Sequence, residues 1–217
     1  MKLYVVAGSG NCRKVQATIN KLNITADLEY RDLIEGELGK PDFISMNPNG
    51  RVPVLVDGDY TLWESNAIMQ YLADTVPDNT LYSQNPQTRA DINRWQCWEL
   101  AHFNNALGMI VSETVFKPQF FQIEPDQAII GSATESLDAF TRILEDHLVD
   151  RDYVVGNNIT LADYSIINIE GFKDMIPFDW SRYPRVSAYF ERLRADPHWA
   201  STAPESAEVI GRRPNAA

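Results

Sequence analysis

The sequence predicts an α/β domain with a mixed four-stranded sheet, followed by an all-helical domain. Two observations support this expectation. Short β-branched runs separated by turn formers lie before residue 77, and beyond the following linker the apolar residues recur with the period of a helix. We therefore expect four parts, at 1–77 (α/β domain), 78–86 (linker), 87–203 (all-helical domain) and 204–217 (tail).

The α/β part has a separate signal for each strand. An apolar run at 2–7 is broken by Gly8 and Gly10, and a helix with a regular apolar face follows. A second strand at 27–33 and at most one helical turn at 43–46 come next, joined by a glycine-containing loop. The remaining elements of this part are a strand at 52–56, a hairpin turn at Asp57 and Gly58, a strand at 60–63 and a helix capped by Ser65.

The connections between these strands predict how they pair. The first three strands are linked by crossovers and the last two by a hairpin, so the sheet should contain both parallel and antiparallel pairs. This order of elements is that of the thioredoxin-like fold.

Beyond the linker the helix signals follow one another. An apolar stripe from Trp95 through Trp98 and His102 to Met109 predicts one long helix that begins near Thr88. The further signals are an apolar stripe over 130–148, a capping box at Thr160 and Asp163, and a helix that begins with Pro184 and runs to Arg194.

The stretch from Asn47 to Ser65 has the features of a site for a small peptide. Pro53 cannot donate a ladder hydrogen bond, so it marks an edge strand, a special bend or a cis peptide bond. The Val52 backbone beside it can pair with an extended peptide. The helix that begins at Ser65 favours a carboxylate at its N-terminus, and Glu64 can hold an ammonium group. Together these groups suit a zwitterionic peptide.

Two motifs in this stretch, NPNGRVPVL at 47–55 and LWESNAI at 62–68, resemble the glutathione-binding half of the cytosolic glutathione transferases. The resemblance covers nearly the whole chain, and in the second half it depends chiefly on 156–163. It implies the fold of that family, a homodimer, and a serine-type enzyme of the theta or bacterial-like kind. Such an enzyme activates the glutathione thiol as a thiolate and conjugates it to a small hydrophobic electrophile, with peroxidase activity as a side reaction.

The resemblance implies a catalytic hydroxyl at Ser9. In serine-type relatives this position hydrogen-bonds the glutathione sulfur, and donors aimed at a sulfur favour the thiolate. Asn11 is the competing candidate, because its amide is also a donor. Cys12 is flanked by two basic residues, which favours an acidic thiol, but its spacing from Ser9 favours a packing role in the domain core.

The same resemblance implies the residues that bind glutathione. Glu64 and Ser65 are assigned to binding, and Val52 and Pro53 would position its cysteinyl part through the backbone. Lys40 is a candidate partner for the glycyl carboxylate, with a solvated lysine as the alternative. The glutathione-binding set is therefore Ser9, Lys40, Val52, Pro53, Glu64 and Ser65.

The electrophile pocket is expected between the two domains, where ligand sites often form. His102 is one candidate for its lining, although its place on the tryptophan stripe favours a core histidine. The candidate lining is His102, Asn105, Phe116 and Phe120, with Phe121 and then Tyr4 or Val6 as further candidates. The three histidines are scattered without ligand spacing, so no metal site is expected.

Composition excludes several classes of protein. The net charge of −11 argues against nucleic-acid surfaces and anionic membranes. Two cysteines, Cys12 and Cys97, are too few for a disulfide framework and favour a reducing compartment. Because no stretch is long enough to cross a membrane, we expect a cytoplasmic protein.

Two other functions stay open on the same scaffold. One is a glutathione-dependent disulfide-bond reductase or isomerase. Asn11 favours the reductase, whereas Cys12 falls one place later than the cysteine of the zeta-type isomerases, which argues against the isomerase. The other is a non-catalytic binding or regulatory protein. The presence of an intact site argues against that last alternative: Ser9, Val52, Pro53, Glu64 and Ser65.

Overall fold

The computed structural model describes residues 1–206, 210–212 and 214, with the backbone alone at Phe120. Within these residues the strands are β1 (Lys2–Val5), β2 (Asp27–Tyr30), β3 (Val54–Asp57) and β4 (Tyr60–Trp63). They form one sheet in the order β2-β1-β3-β4. β1 and β2 are parallel, whereas β3 is antiparallel to both β1 and β4, so the predicted mixed four-stranded sheet is confirmed.

Three strands are shorter than the sequence predicts. β1 ends at Val5 and β2 at Tyr30. β3 begins only at Val54, because the preceding Pro53 has no N–H to donate to the ladder. The Val52–Pro53 peptide bond is cis, which is one of the three alternatives that the sequence left open.

Both faces of the sheet carry buried side chains. Leu3 and Leu55 pair in register and are fully buried on one face. Tyr4 and Val54 pair on the other face, where Phe43 packs with Val54 and its ring centre lies 6.4 Å from that of Tyr4. The helices of this part of the chain are α1 (Gly10–Leu22), α2 (Pro41–Ile44) and α3 (Ser65–Asp74). α1 and α3 pack against each other.

The helices of the remaining chain begin at side-chain caps in several cases. Asn85 Oδ1 accepts hydrogen bonds from the N–H groups of Gln87 and Thr88. The first helix of this part therefore begins at Pro86, slightly before the predicted start near Thr88. The elements are α4 (Pro86–Trp98), α5 (Asn104–Val111), α6 (Gln127–His147), α7 (Leu161–Ile167), α8 (Pro184–Arg194) and α9 (Pro197–Ala200). α9 and the 3₁₀ turns at Glu37–Gly39, Glu170–Met175 and Trp180–Arg182 have no predicted counterpart.

The predicted stripe from Trp95 to Met109 is wrong in its second half. A π-helical turn at Glu99–Phe103 separates α4 from α5, and its wider turn shifts the buried face by one position. Phe103 is therefore fully buried, whereas His102 is exposed. The prediction of a core histidine at His102 is wrong for this reason.

His147, and not His102, is the partly buried histidine that packs against the tryptophan stripe. Its Nε2 lies 2.8 Å from the carbonyl oxygen of Val154, and its ring centre is 4.6 Å from that of Trp95. This hydrogen bond compensates for the partial burial of the imidazole.

The predicted capping box at the start of α7 is confirmed. The Thr160 N–H and hydroxyl donate to Asp163 Oδ2 at 2.7 and 2.9 Å. The Val154 N–H and the Tyr189 hydroxyl donate to Asp163 Oδ1 at 3.1 and 2.8 Å. Burial raises the pKa of Asp163, and these four hydrogen bonds partly oppose that effect.

Contacts between residues divide the chain into two compact units. The first comprises Met1–Ser83 with Ala195–Ala217, and the second comprises Gln84–Arg194. The short helix α9 therefore belongs to the same unit as the sheet. The sequence instead predicted that all of 87–203 belongs to the helical domain. The domain boundaries stay a prediction. In the tail at 204–217, residues 207–209, 213 and 215–217 lie outside the described part of the chain.

Candidate functional site

Ser9 lies in the turn between β1 and α1, as the residue that precedes the helix. Its N–H donates to the Val6 carbonyl at 3.2 Å, and its carbonyl accepts from the N–H groups of Cys12 and Arg13 at 3.0 and 2.9 Å. The hydroxyl makes no capping hydrogen bond to α1. The backbone of this turn, and not a helix cap, therefore sets the direction of the Ser9 side chain.

A hydrogen bond joins the first turn of α1 to the first turn of α3. The Ser65 hydroxyl donates to Asn11 Oδ1 at 3.2 Å, and Ser65 itself is buried. Ser65 is the first residue of α3 and not its cap, which corrects the prediction; Glu64 takes the cap position without a side-chain hydrogen bond. Two helix N-termini, with the positive ends of their dipoles, thus meet beside Ser9.

Glu64 has a strained backbone. Its φ of 73° and ψ of 110° lie outside the regions that non-glycine residues ordinarily adopt. Such a conformation costs about 1–3 kcal/mol and occurs preferentially at functional sites. The side chain is exposed at the start of α3. The sequence carries no signal for this conformation, since an ordinary glutamate precedes an ordinary helix start.

The turn before β3 is held by Asn47, which is buried. Asn47 Nδ2 donates to the Arg51 carbonyl at 2.7 Å, and Asn47 Oδ1 accepts from the Asn49 N–H at 3.0 Å. This arrangement fixes the entry into Val52 and Pro53, and Val52 packs at the edge of the apolar cluster that contains Phe43. Val52 precedes the β-ladder, so it lies outside the pairing of β3 with β1.

Lys40 lies on a loop that passes close to this turn. The position where a Gly50 Cβ would lie is 3.3 Å from the Leu38 carbonyl oxygen, so the loop and the turn are in contact. Lys40 Nζ is exposed and lies 3.6 Å from Glu37 Oε1. An exposed ion pair of this kind contributes little free energy, so it does not hold the ammonium group away from an anionic ligand.

The Cys12 side chain packs in the protein interior. Its side chain is fully buried, and burial raises the pKa of its thiol to about 11, although the hydrogen bond with Ser9 lowers the pKa in part. The flanking basic residues therefore do not produce an acidic thiol. Cys97, by contrast, is exposed.

These environments predict the labelling of the native protein by iodoacetamide. At pH 8 a thiol with a pKa near 11 is ionised to about one part in a thousand, so we expect Cys97 to be alkylated and Cys12 to stay unmodified. Peptide mass spectrometry measures both, and the protein unfolded in urea, where both should react, is the control. Alkylation of native Cys12 at a rate within tenfold of Cys97 would contradict the buried thiol.

The candidate electrophile residues belong to the second unit. His102 and Asn105 are exposed, and the ring centre of His102 lies 5.1 Å from that of Phe140. Phe116 is partly exposed on a π-helical segment at Ser112–Phe121 and makes an edge contact with Phe172. The side chain of Phe120 lies outside the described part of the structure. The assignment of these residues to an electrophile pocket stays a prediction.

The described residues contain neither a metal-binding cluster nor a membrane-spanning helix. No group of three or more histidine, cysteine, aspartate or glutamate side chains in this part of the chain is arranged to hold a metal ion. Among the same residues, no helix is both long and apolar enough to cross a membrane.

Comparisons with known proteins identify the family and the fold. Residues 3–80 match the family model described as glutathione S-transferase, N-terminal domain, and residues 103–197 match glutathione S-transferase, C-terminal domain. Glutathione S-transferase 2 of Schizosaccharomyces pombe is 32% identical, over 95% of this chain and 96% of that protein.

Solved structures are similar over most of the chain. Glutathione transferase F7 from Populus trichocarpa has a TM-score of 0.84 at 28% identity, over 93% of this chain and 96% of that one. Glutathione transferase URE2P6 from Phanerochaete chrysosporium, solved in complex with oxidized glutathione, has a TM-score of 0.83 at 26% identity, over 93% of each chain.

Proposed function

The chain belongs to the glutathione S-transferase family and is a glutathione transferase; from this premise we propose that it ionises the glutathione thiol beside Ser9 and conjugates the thiolate to a small hydrophobic electrophile. The single observation that carries the proposal is the hydrogen bond from Ser65 to Asn11. It brings the proposed sulfur-binding turn and the proposed carboxylate-binding helix start into one place.

The Ser9 hydroxyl is suited to stabilise a thiolate. The hydroxyl does not cap α1, so its proton can be donated to the glutathione sulfur. The N-terminus of the 13-residue helix α1 adds positive potential at the same position. Both effects favour the charged form of the sulfur and so lower the pKa of the bound thiol.

The other site residues would orient glutathione along the edge of the unit. In this proposal the start of α3 at Ser65 binds the γ-glutamyl carboxylate, and the exposed Glu64 carboxylate binds the ammonium group. The Val52 backbone, placed by the Asn47 turn and Pro53, pairs with the cysteinyl part. Lys40, on the loop that contacts that turn through Leu38, would bind the glycyl carboxylate.

Disulfide-bond reduction is the second candidate function. Two points favour it: Asn11 lies in the first turn of α1, two residues beyond Ser9, and the similar URE2P6 protein was solved with oxidized glutathione. In such a reaction the thiolate of one glutathione attacks the sulfur of a mixed disulfide, and the second thiol leaves as a thiolate and takes up a proton. The buried Cys12 is not the attacking group in this scheme.

Three further features belong to the same proposal. They are a homodimer, a cytoplasmic location and an electrophile pocket with His102, Asn105, Phe116 and Phe120 in its lining. They are supported by the resemblance to the family. Light scattering of the purified protein tests the first, since a dimer has twice the 24.6 kDa mass of one chain.

Calorimetry with glutathione, together with initial rates on two substrates, tests the proposal. We expect glutathione binding and turnover of an aryl halide, with slower reduction of a glutathione mixed disulfide. Binding with disulfide reduction alone would move the protein to the reductase class. If the protein showed neither glutathione binding nor turnover, the proposed site would be rejected and the non-catalytic alternative would be favoured.

A further inference from the structure

The chain returns to the Ser9 turn after α9. Arg13 Nε donates to Thr202 Oγ1 at 3.1 Å, and the Arg13 guanidinium lies 4.1 Å from the centre of the Trp199 ring, which is fully buried. These contacts attach the end of α9 to the first turn of α1, four residues beyond Ser9.

A second attachment lies on the other side of Ser9. The Gly211 N–H donates to the Ala7 carbonyl at 3.0 Å, and the Gly211 carbonyl accepts from the Leu33 N–H at 2.8 Å. Gly211 thus bridges the residues that follow β1 and β2. Its φ of +78° is a conformation that glycine adopts without strain.

Ile210 lies directly on the backbone of Gly8, the residue before Ser9. A Cβ built on Gly8 would be 3.0 Å from Ile210 Cγ1 and 3.1 Å from Cγ2, closer than side chains normally approach. Because Gly8 lacks a Cβ, the isoleucine can contact the peptide itself. Gly8 also has a φ of +79°, so a larger residue would be strained there as well.

We propose that Ile210 and Gly211 are positioning residues for the Ser9 hydroxyl. Ser9 has no capping hydrogen bond to α1, so its orientation is set by the backbone of the turn. Gly211 binds and Ile210 covers the Ala7–Gly8 part of this backbone, in addition to the hydrogen bonds of Ser9 itself with Val6, Cys12 and Arg13. A hydroxyl must lie within a narrow range of distance and angle to donate to a sulfur, and small displacements reduce turnover strongly. The inference depends on the proposed role of Ser9.

Two variants of the full chain test this role. Gly211→Ala strains the backbone at φ +78°, although the added methyl group meets only Ile34 at an ordinary 3.6 Å; Ile210→Ala removes the contact with Gly8. In both we expect kcat for the aryl halide to fall about tenfold, with KM for glutathione changed less than about twofold. The pH–rate profile should move to higher pH, and Ile210→Val should restore most of the turnover.

Matched controls lie in the second unit. Ile143 is 50% exposed, close to the 53% of Ile210, so Ile143→Ala controls for the loss of an exposed isoleucine. Gly156 has a φ of +66° and open space around its Cβ position, so Gly156→Ala controls for strain at positive φ. Neither control should alter kcat or the pH–rate profile.

Amide hydrogen exchange provides a readout that is independent of turnover. In Gly211→Ala we expect faster exchange at Leu33 and at Ser9, whose N–H donates to Val6. Faster exchange at Leu33 with unchanged kcat would overturn the positioning role, and so would unchanged exchange at both amides. If the unaltered protein neither binds nor turns over glutathione, the proposed function fails. The rate of exchange at the Ser9 amide, compared between Gly211→Ala and the unaltered protein, then still tests whether Gly211 stabilises this turn.

Discussion

Replacement of Ser9 by alanine is expected to lower kcat for conjugation by about one to two orders of magnitude, because a hydrogen bond to a charged group contributes roughly 1.5–3 kcal/mol. Glutathione should still bind, since the residues proposed for its carboxylates and ammonium group are unchanged. Without the donor the pKa of the bound thiol rises, so the thiolate fraction at neutral pH falls and the pH–rate profile moves to higher pH. Stopped-flow measurement of thiolate absorbance across pH, combined with steady-state rates, tests both effects.

Two further variants separate the roles within the site. Ser9→Thr retains a hydroxyl and should keep most of the turnover. Ser65→Ala should raise KM for glutathione with a smaller effect on kcat, because Ser65 is proposed to bind a carboxylate and not the sulfur. Unchanged turnover in Ser9→Ala would reject the Ser9 assignment. A large loss of turnover in Asn11→Ala would then assign the contact with the glutathione sulfur to Asn11.

The largest expected effect on stability is that of Asp163→Ala. The carboxylate accepts four hydrogen bonds in a fully buried position, and its removal leaves the N–H groups of Val154 and Thr160 and the hydroxyls of Thr160 and Tyr189 without this acceptor. Loss of a buried polar network of this kind costs about 3–5 kcal/mol. Urea unfolding followed by far-ultraviolet circular dichroism measures the change in the free energy of unfolding.

An exposed helix cap in the same unit provides the control. Asp126 accepts hydrogen bonds from the N–H groups of Ala128 and Ile129 at the start of α6 and is exposed. Asp126→Ala should therefore cost only about 1 kcal/mol. A cost for Asp163→Ala as small as that for Asp126→Ala would mean that water replaces the carboxylate in its pocket.

Local patterns in the sequence determined the order of elements and much of the proposed site. The strands, the hairpin and the capping box at Thr160 and Asp163 depend on neighbouring residues, so their signals lie within a few positions of one another. The resemblance of the motifs around Pro53 and Glu64 then identified the family and pointed to Ser9.

Only the tertiary structure decided the features that depend on distant residues. The π-turn moved His102 out of the core and Phe103 into it, and burial, not the basic neighbours, controls the pKa of Cys12. The bond between Ser65 and Asn11 joins residues 54 positions apart. The contacts of Gly211 with the Ser9 turn join opposite ends of the chain. Sequence periodicity describes which face of an element is apolar, but pairing between elements is set by packing that no local pattern records.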